Sequence, residues 1–352
     1  MTRLDYAIVG AGLSGLAIAD QLHRSDKSYV VLEARERLGG RAWSRTVGRS
    51  SARYDVGPAW FWPGQAKMHA LVQRLQLRVF EQFAQGNLVA EDGDGRVRRD
   101  LEFSTMAGAL RIDGGISTII EGLAATLDPT CVHTSAQVTR MRRTDDAVEV
   151  QLHDGEIACL AKTVIVTAPP RLVGHRLGFE PPLCPSQARA LATTPTWMAG
   201  HAKAVAVYDE PFWRDAGLSG DGVSRRGPLV ELHDASPADA REGALFGFFG
   251  VPAGARAAAG PDLRTAVVDQ LTRLFGERAS TPKAFEIVDW AQEVFTAVPA
   301  DFDPPRAHPD YGLPAALRNV WDGQLRFASS ETAASEGGLL EGALQRAAAV
   351  LR

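Results

Sequence analysis

A glycine pattern near the start of the chain, in YAIVGAGLSGLAIADQL (6–22), constrains the fold most strongly. The apolar run 6–9 predicts a buried parallel strand, and the residues after the glycines follow a helical pattern. Gly10 permits a tight turn, Gly12 lets a pyrophosphate approach the backbone, and Gly15 lets the helix pack closely on the strand. The free N–H groups at the helix start favour a phosphate. The pattern therefore predicts a dinucleotide-binding α/β unit.

A second apolar run, YVVLEA (29–34), ends close to Glu33, which lies 18 residues after Gly15. An acidic residue at about this distance accepts hydrogen bonds from a ribose. A structural glycine turn with an incidental glutamate is the alternative interpretation. The strand–turn–helix context and the position of Glu33 together favour the nucleotide site.

The residues after Glu33, ARERLGGRAWS (34–44), exceed what an NAD site needs. Arg35 and Arg41 are placed to neutralise a pyrophosphate through charge-assisted hydrogen bonds. The adjacent Gly40 lets the backbone run along the cofactor. These residues alone leave open which dinucleotide binds.

Several segments, in the same order, resemble the signature of the flavin-containing amine oxidases, the monoamine and polyamine oxidase superfamily. They are VLEARERLGGR (31–41), YDVGPAWFWPGQ (54–65), LRIDGGISTIIEGLAATL (110–127), KTVIVTAPP (162–170), HAKAVAVYDEPFW (201–213) and LRFASSETAASEGGLLEGALQRAA (325–348). The resemblance spans nearly the whole chain. It implies FAD as the cofactor, a Rossmann-like FAD-binding domain of the glutathione-reductase type, and a smaller α+β substrate domain.

The order of these segments implies two discontinuous domains. Residues 1–70, 112–178 and 318–352 are expected to form the FAD-binding domain. Residues 71–111 and 179–317 are expected to form the substrate-binding domain.

The substrate domain is predicted to hold strands at 201–208, 227–233, 244–250 and 285–290 and a helix at 262–276. The proline-rich runs 178–186 and 301–314 are expected to be irregular crossings between domains. The run VPAGARAAAGPD (251–262) is expected to be a mobile surface loop.

The substrate lid is predicted to be short. Family members with the mammalian-type architecture carry a long helical insertion between the segments that correspond to 54–65 and 110–127. Here Trp60 of the first segment and Gly114 of the second are only 54 positions apart. The site is then either more open or closed by a partner subunit, which would make the protein a homodimer.

Lys203 lies in AGHAKAVAVY (199–208), an alternating run that predicts a central strand. An inward lysine must find polar partners or lose its proton. A solvated strand face is the alternative. The resemblance makes Lys203 catalytic: it implies a lysine that holds a water near flavin N5 and assists the reaction with oxygen.

The resemblance also implies a set of cofactor-binding residues. They are Gly10, Gly12, Ser14, Gly15, Glu33, Ala34, Arg35, Gly40, Arg41, Gly57, Pro58, Ala59, Trp60, Val138, Ser330, Glu331, Gly338, Leu339 and Leu340. Trp60 falls where the family places an aromatic residue near the isoalloxazine. Trp62, Trp290 and Phe295 are candidates for the substrate pocket, with packing in the core as the alternative.

Two departures from the family concern the chemistry. Members that bind FAD covalently use a cysteine downstream of the Trp290 position, and no cysteine follows Cys184, so the FAD is expected to be non-covalent. Some members hold the substrate amine between two tyrosines. Leu339 stands at one of these positions, and the run EVFTAVPADF (293–302) has no tyrosine for the other.

The closing segment is predicted to complete the cofactor site. Residues 325–328 would form the last strand, with Ser330 and Glu331 at its carboxyl end. Gly337 and Gly338 would begin a helix whose dipole points at the flavin edge that gains negative charge on reduction. An exposed glycine-rich turn is the alternative.

Other functions lack the residues they need. The eight histidines show no HExxH or HxxxH spacing, the three cysteines no CxxC, and no GxSxG occurs, so neither a metal site nor a serine hydrolase is expected. The net charge of −4 gives no reason to expect nucleic acid or an anionic membrane as partner. The chain has no long apolar run and enters a strand pattern at once, so a cytoplasmic location is expected.

The resemblance implies a reaction in which an amine transfers a hydride to flavin N5, the imine hydrolyses, and dioxygen takes the electrons to form hydrogen peroxide. No second GxGxxG follows a strand, so a dedicated NAD(P)H site is not indicated. Two alternatives stay open. One is a flavoenzyme of the same fold acting on a non-amine substrate, such as a desaturase or a renalase-like oxidase. The other is a non-catalytic flavin-binding protein.

Overall fold

The computed structural model describes residues 3–303, 305 and 307–352. The helices are α1 (Leu13–His23), α2 (Ala66–Arg74), α3 (Ser117–Ala124), α4 (Pro170–Arg176), α5 (Pro185–Thr193), α6 (Ala253–Ala259), α7 (Asp262–Phe275) and α8 (Leu340–Val350). The strands are β1 (Arg3–Val9), β2 (Tyr29–Leu32), β3 (Ser44–Thr46), β4 (Arg53–Asp55), β5 (Val79–Glu81), β6 (Asn87–Glu91), β7 (Val97–Leu101), β8 (Leu110–Ile112), β9 (Val132–His133), β10 (Val138–Arg143), β11 (Val148–Leu152), β12 (Ile157–Val166), β13 (Gly178–Glu180), β14 (Ala202–Tyr208), β15 (Leu218–Ser224), β16 (Leu229–Asp234), β17 (Gly243–Phe249), β18 (Ala284–Asp289) and β19 (Leu325–Phe327). None of the helices in these ranges is long and apolar enough to cross a bilayer.

The first sheet has the strand order β13-β10-β11-β12-β1-β2-β9, with β19 beside the end of β12. Its centre is parallel: Ile8 of β1 pairs with Val31 of β2 on one side and with Ile165 of β12 on the other. Strands of this kind are apolar throughout because both faces are covered. Helix α1 packs with α3 and α8 on one face, and the opposite face packs on apolar side chains such as Trp321.

The second sheet has the order β18-β14-β17-β16-β15-β6-β7. Helix α7 covers one face through an apolar stripe that includes Val267 and Leu271. The other face carries Val205 and Phe246 and packs on the segment around Tyr54. Strand β14 lies between β17 and β18, so its side chains are buried on both faces.

The predicted strands of both sheets are present, and three local predictions need correction. Residues 253–259 form α6 rather than a mobile loop, because an alanine-rich run after Pro252 is a good helix former. The run 178–186 holds β13 and the start of α5, since proline is tolerated in a helix's first turn. The last helix begins at Leu340, after the glycines rather than at them.

The strands of the two sheets come from different stretches of the chain. The first sheet uses strands within 3–32, 132–180 and 325–327, and the second uses strands within 87–101 and 202–289. The domain limits themselves stay predictions. In the predicted crossing 301–314, positions 304 and 306 lie outside the described residues, and the others form neither an α-helix nor a strand.

Candidate active site

One cavity is lined by residues of both sheets. Most of the predicted site residues lie on its wall: Gly10, Gly12, Ser14, Glu33, Ala34, Arg35, Gly40, Arg41, Gly57, Pro58, Ala59, Trp60, Trp62, Val138, Lys203, Trp290, Phe295, Ser330, Gly338, Leu339 and Leu340. Two predicted residues, Gly15 and Glu331, are not on the wall. The cavity has a nucleotide end around Glu33 and a substrate end around Lys203.

The glycines shape the nucleotide end. Gly10 has a φ of +106°, which a side chain would strain, and a Cβ on Gly15 would lie 2.0 Å from the Gly10 carbonyl oxygen. Gly15 therefore serves close helix–strand packing rather than cofactor contact. A Cβ on Gly12 or Gly40 would meet only one protein atom, at 3.8 and 3.6 Å respectively, so both backbones face open cavity. This cradle fits a pyrophosphate that must approach the backbone at the start of α1.

Glu33 is buried and its carboxylate organises the same end. Oε2 accepts a hydrogen bond from the Ala11 N–H at 2.8 Å, and Oε1 accepts one from the Arg35 N–H at 3.0 Å. A carboxylate has about four lone-pair positions. Glu33 therefore retains acceptor capacity for a ribose hydroxyl, as its spacing from the glycines predicts.

Arg41 and Glu331 form a buried ion pair, with Nη1 2.6 Å from Oε1. Burial alone would lower the pKa of Arg41 and raise that of Glu331, but the pairing reverses both, so that the pKa of Arg41 is raised and that of Glu331 is lowered. Both groups remain charged. The sequence predicts Glu331 as a cofactor-binding residue; its carboxylate is fully buried, lies off the cavity wall and positions the Arg41 guanidinium.

Arg35 links the nucleotide end to the segment after β18. Its guanidinium donates to Thr296 Oγ1 at 2.7 Å and to Glu293 Oε2 at 3.3 Å. The Phe295 ring centroid lies 5.7 Å from the Arg35 Cζ. Phe295 therefore sits at the nucleotide end of the cavity, beside Arg35, rather than beside Lys203.

Lys203 marks the substrate end, and its side chain is 2% exposed. Its ammonium donates to the carbonyl oxygens of Asp55 at 3.0 Å and Gly57 at 2.7 Å. It also lies 4.2 Å from the centre of the Phe246 ring. Burial lowers the pKa of Lys203 to about 7, so the lysine changes charge near neutral pH.

Tryptophans form much of the wall around Lys203. The Trp290 indole N–H donates to the Val56 carbonyl at 3.0 Å, and the Trp60 indole N–H donates to Gln82 Oε1 at 2.8 Å. These bonds hold both rings in place. Trp62 is 38% exposed and lies at the rim.

The wall also includes residues that the sequence motifs do not assign to the site, among them Trp197, Met198, His201 and Phe248. Phe248 reaches the site because β17 pairs with β14 in a register that sets it opposite Lys203. His201 lies two residues before Lys203, so the period-two pattern of the strand could have indicated it.

The wall is poor in acidic groups. Glu33 is the acidic residue among the wall residues, and it lies at the nucleotide end. Three carboxylates touch wall residues from outside: Glu331 pairs with Arg41, Glu293 pairs with Arg35, and Glu336 accepts from the Gln65 side chain. The described residues hold no cluster of His, Cys, Asp and Glu that could bind a metal.

The fold and the cavity together define a dinucleotide-binding oxidoreductase. Residues 82–351 match the family of flavin containing amine oxidoreductases, and residues 8–75 match an NAD(P)-binding Rossmann-like domain. The chain belongs to the flavin-containing amine oxidoreductase family. FAD is the cofactor that this membership implies, and the glycine cradle with Glu33 fits it.

The relatives include several oxidoreductases of amino compounds. Putrescine oxidase of Kocuria rosea is 26% identical over 97% of this chain and 93% of its own, and an L-amino acid dehydrogenase of Synechocystis is 25% identical over 97% and 92%. The putrescine oxidase alignment spans 460 positions against the 352 residues here, so it contains long gaps in this chain.

The same fold occurs in solved structures. A putrescine oxidase with putrescine bound has a TM-score of 0.83 at 21% identity, covering 99% of both chains. Cyclohexylamine oxidase from Brevibacterium oxydans also has a TM-score of 0.83 at 21% identity, covering 99% of this chain and 98% of its own.

Proposed function

We propose that this protein is an FAD-dependent oxidase that removes hydride from the carbon beside an amine nitrogen. The observation that carries the proposal is the buried lysine, Lys203, on the same cavity as the glycine cradle and Glu33. FAD, when bound, accepts the hydride and passes the electrons to dioxygen, which becomes hydrogen peroxide.

The protein's own groups bind, orient and exclude water. Gly12, Gly40 and Arg41 receive the pyrophosphate, and Glu33 receives the ribose. Trp60 and Trp290 hold an apolar substrate body at the other end, where their fixed indoles keep water out. Lys203, which gains or loses its proton near pH 7, supplies a positive charge or a neutral amine close to the reacting atoms.

We also propose that FAD is held without a covalent bond. No cysteine occurs among the described residues of the cavity wall, and Cys184, the last in the chain, is exposed. Acid precipitation of the purified protein tests this: the flavin is expected in the supernatant, and flavin that stays in the pellet would contradict the proposal.

A second candidate is a flavoenzyme of the same fold with a non-amine substrate. It is favoured by Leu339, which lines the cavity where an amine cage would need an aromatic side chain. This chain lacks segments that putrescine oxidase has. The missing segments favour a site that is open or is covered by a partner subunit. Alkenes and dihydropyridines therefore belong in any substrate panel.

The experiment that tests the function is a panel of primary, secondary and cyclic amines with the FAD-loaded protein. We expect peroxide and the carbonyl product in equal amounts for at least one amine. Turnover of a dihydropyridine or an alkene, with none of the amines, would favour the second candidate. Bound FAD without turnover of any compound would mean a non-catalytic flavoprotein.

A further inference from the structure

We propose that His201 accepts the proton that a substrate ammonium must lose before it can give up hydride. This inference rests on the proposed function. It goes beyond it by assigning a further catalytic residue, since Lys203 alone was expected to act at this end of the cavity.

The first observation is the position of His201. It directly precedes β14 and lies two residues before Lys203, and side chains two residues apart on an extended backbone point to the same side. Both line the cavity. The backbone of His201 is fixed on both sides, since its N–H donates to Met198 at 3.1 Å and its carbonyl accepts from the Trp290 N–H at 3.0 Å.

The second observation is the state of the imidazole. Nδ1 is closed off from the cavity and has no hydrogen-bond partner, whereas Nε2 is not fully buried and has no side-chain hydrogen bond among the described residues. Buried polar atoms without a partner are rare in folded proteins. On the cavity wall, Nε2 is therefore the nitrogen placed to receive a ligand that donates a hydrogen bond.

The charged groups around the ring favour its neutral form. Burial, and then the positive charge of Arg256, lower the pKa of His201. Arg256 is held by Asp289 at 2.6 Å and by the Gly200 carbonyl at 2.9 Å. Lys203, two residues further along the chain, adds a second positive charge when it is protonated. A neutral imidazole has one nitrogen that accepts a proton.

The chemistry needs such an acceptor. A substrate amine is an ammonium in water, and the nitrogen lone pair must be free before the C–H bond can leave with its electron pair. In the proposed step, the N–H bond of the ammonium breaks, an N–H bond forms on His201, and the charge moves to the imidazolium. The neutral amine then loses hydride to bound FAD and becomes an iminium ion. Apolar walls lower the pKa of the ammonium as well, which makes this transfer easier.

Other acceptors on the wall are less suitable. Glu33 is at the nucleotide end and is engaged by two backbone N–H groups. Lys203 donates to two carbonyl oxygens; its neutral form would keep one lone pair, and the Lys203→Met variant tests that alternative. His201 differs from Lys203 in that its side chain has no hydrogen-bond partner among the described residues, which leaves it free to bind the substrate ammonium.

The main test compares wild type with His201→Gln, which keeps a polar side chain of similar size but cannot take a proton. Flavin reduction is followed without oxygen for 2-phenylethylamine, charged at pH 7, and for its 2,2-difluoro analogue, whose lower pKa leaves it largely neutral. We expect a loss of about 100-fold with the charged amine and less than about 3-fold with the neutral one. Raising the pH should restore the rate with the charged amine.

A second measurement does not depend on turnover. The amine 2-phenylpropan-2-amine has no hydrogen on the carbon beside nitrogen and cannot be oxidised. Its binding is measured by calorimetry in buffers of different ionisation enthalpy. Wild type should bind it with almost no proton released to the buffer, because His201 keeps the proton. The glutamine variant should either release about one proton or bind more weakly.

Several results would overturn the proposal. If the rate of flavin reduction falls equally for both amines, His201 has a structural role. If neither rate falls, His201 takes no part in the reaction. If Lys203→Met, and not His201→Gln, slows flavin reduction by the charged amine alone, the lysine is the proton acceptor. FAD content and melting temperature of each variant identify misfolded protein, and His201→Asn provides a second polar replacement. Failure of every amine with wild type would instead contradict the proposed function.

Discussion

The two ends of the cavity are built in different ways. The nucleotide end is made largely of backbone within residues 10–41, and its charged side chains are paired with residues from distant segments, as Arg41 is with Glu331. The substrate end is made of side chains from β14, β17 and distant loops, and it holds Lys203 and His201 without a carboxylate partner. A cofactor that stays bound favours fixed side chains whose charges are paired. Chemistry that moves protons needs side chains whose own charge can change.

The largest effect is expected at the nucleotide end. Replacing Glu33 with alanine removes the acceptor for the N–H groups of Ala11 and Arg35 and for the ribose. Each hydrogen bond to a charged group contributes about 1.5–3 kcal/mol, so FAD affinity should fall by about 100-fold or more. Bound FAD per chain after gel filtration measures this. Glu293→Gln, which touches Arg35 from outside the cavity, is the control and should retain FAD.

At the substrate end, we expect the opposite result: FAD binding is kept and reactivity is lost. Lys203→Met should retain FAD but slow the reaction of the reduced protein with oxygen by about 100-fold, the usual cost of losing one preorganised charge. Stopped-flow mixing of the reduced protein with oxygenated buffer checks the rate. Unchanged reoxidation would remove the lysine from the oxygen reaction, and loss of FAD would mean that the two ends are not separable.

Substrate charge should separate this protein from putrescine oxidase. The substrate end has no free carboxylate on its described wall, so a second ammonium would be buried unpaired, which is costly. We expect kcat/KM for 1,4-diaminobutane to be at least about 30-fold below that for 1-aminobutane. Parallel peroxide assays on the two amines measure the ratio. Equal values would point to a carboxylate that reaches the substrate, with Glu336 as the first candidate.

The smallest effect concerns stability. Unfolded lysine binds a proton below about pH 10.5, whereas Lys203 in the fold does so only below about pH 7. The unfolded state therefore binds more protons between these values, and stability should rise with pH across this window. The unfolding free energy of wild type minus that of Lys203→Met should rise by about 1 kcal/mol per pH unit. Denaturant unfolding at pH 7, 8 and 9 measures it, and a flat difference would contradict the lowered pKa.

The sequence predicts the nucleotide end well because glycine turns and Glu33 act within about thirty residues of one another. It predicts the substrate end poorly because Phe248 reaches Lys203 only through strand pairing, which leaves no motif, and because the two-residue spacing of His201 from Lys203 does not by itself mark a site residue. At 251–262 the glycines and prolines predict a loop, but the helix propensity of the alanines prevails and 253–259 form α6. The position of Glu331 in its motif predicts a place at the cofactor site, and only the structure shows that its carboxylate pairs with Arg41.

The central claim is that one cavity holds FAD at one end and oxidises an amine at the other. The most direct test mixes purified, FAD-loaded protein with excess 2-phenylethylamine without oxygen, then admits a measured amount of oxygen. We predict complete bleaching of the flavin band before oxygen enters, and then one peroxide for each oxygen consumed. A flavin band that no amine bleaches, although a chemical reductant does, would contradict the account.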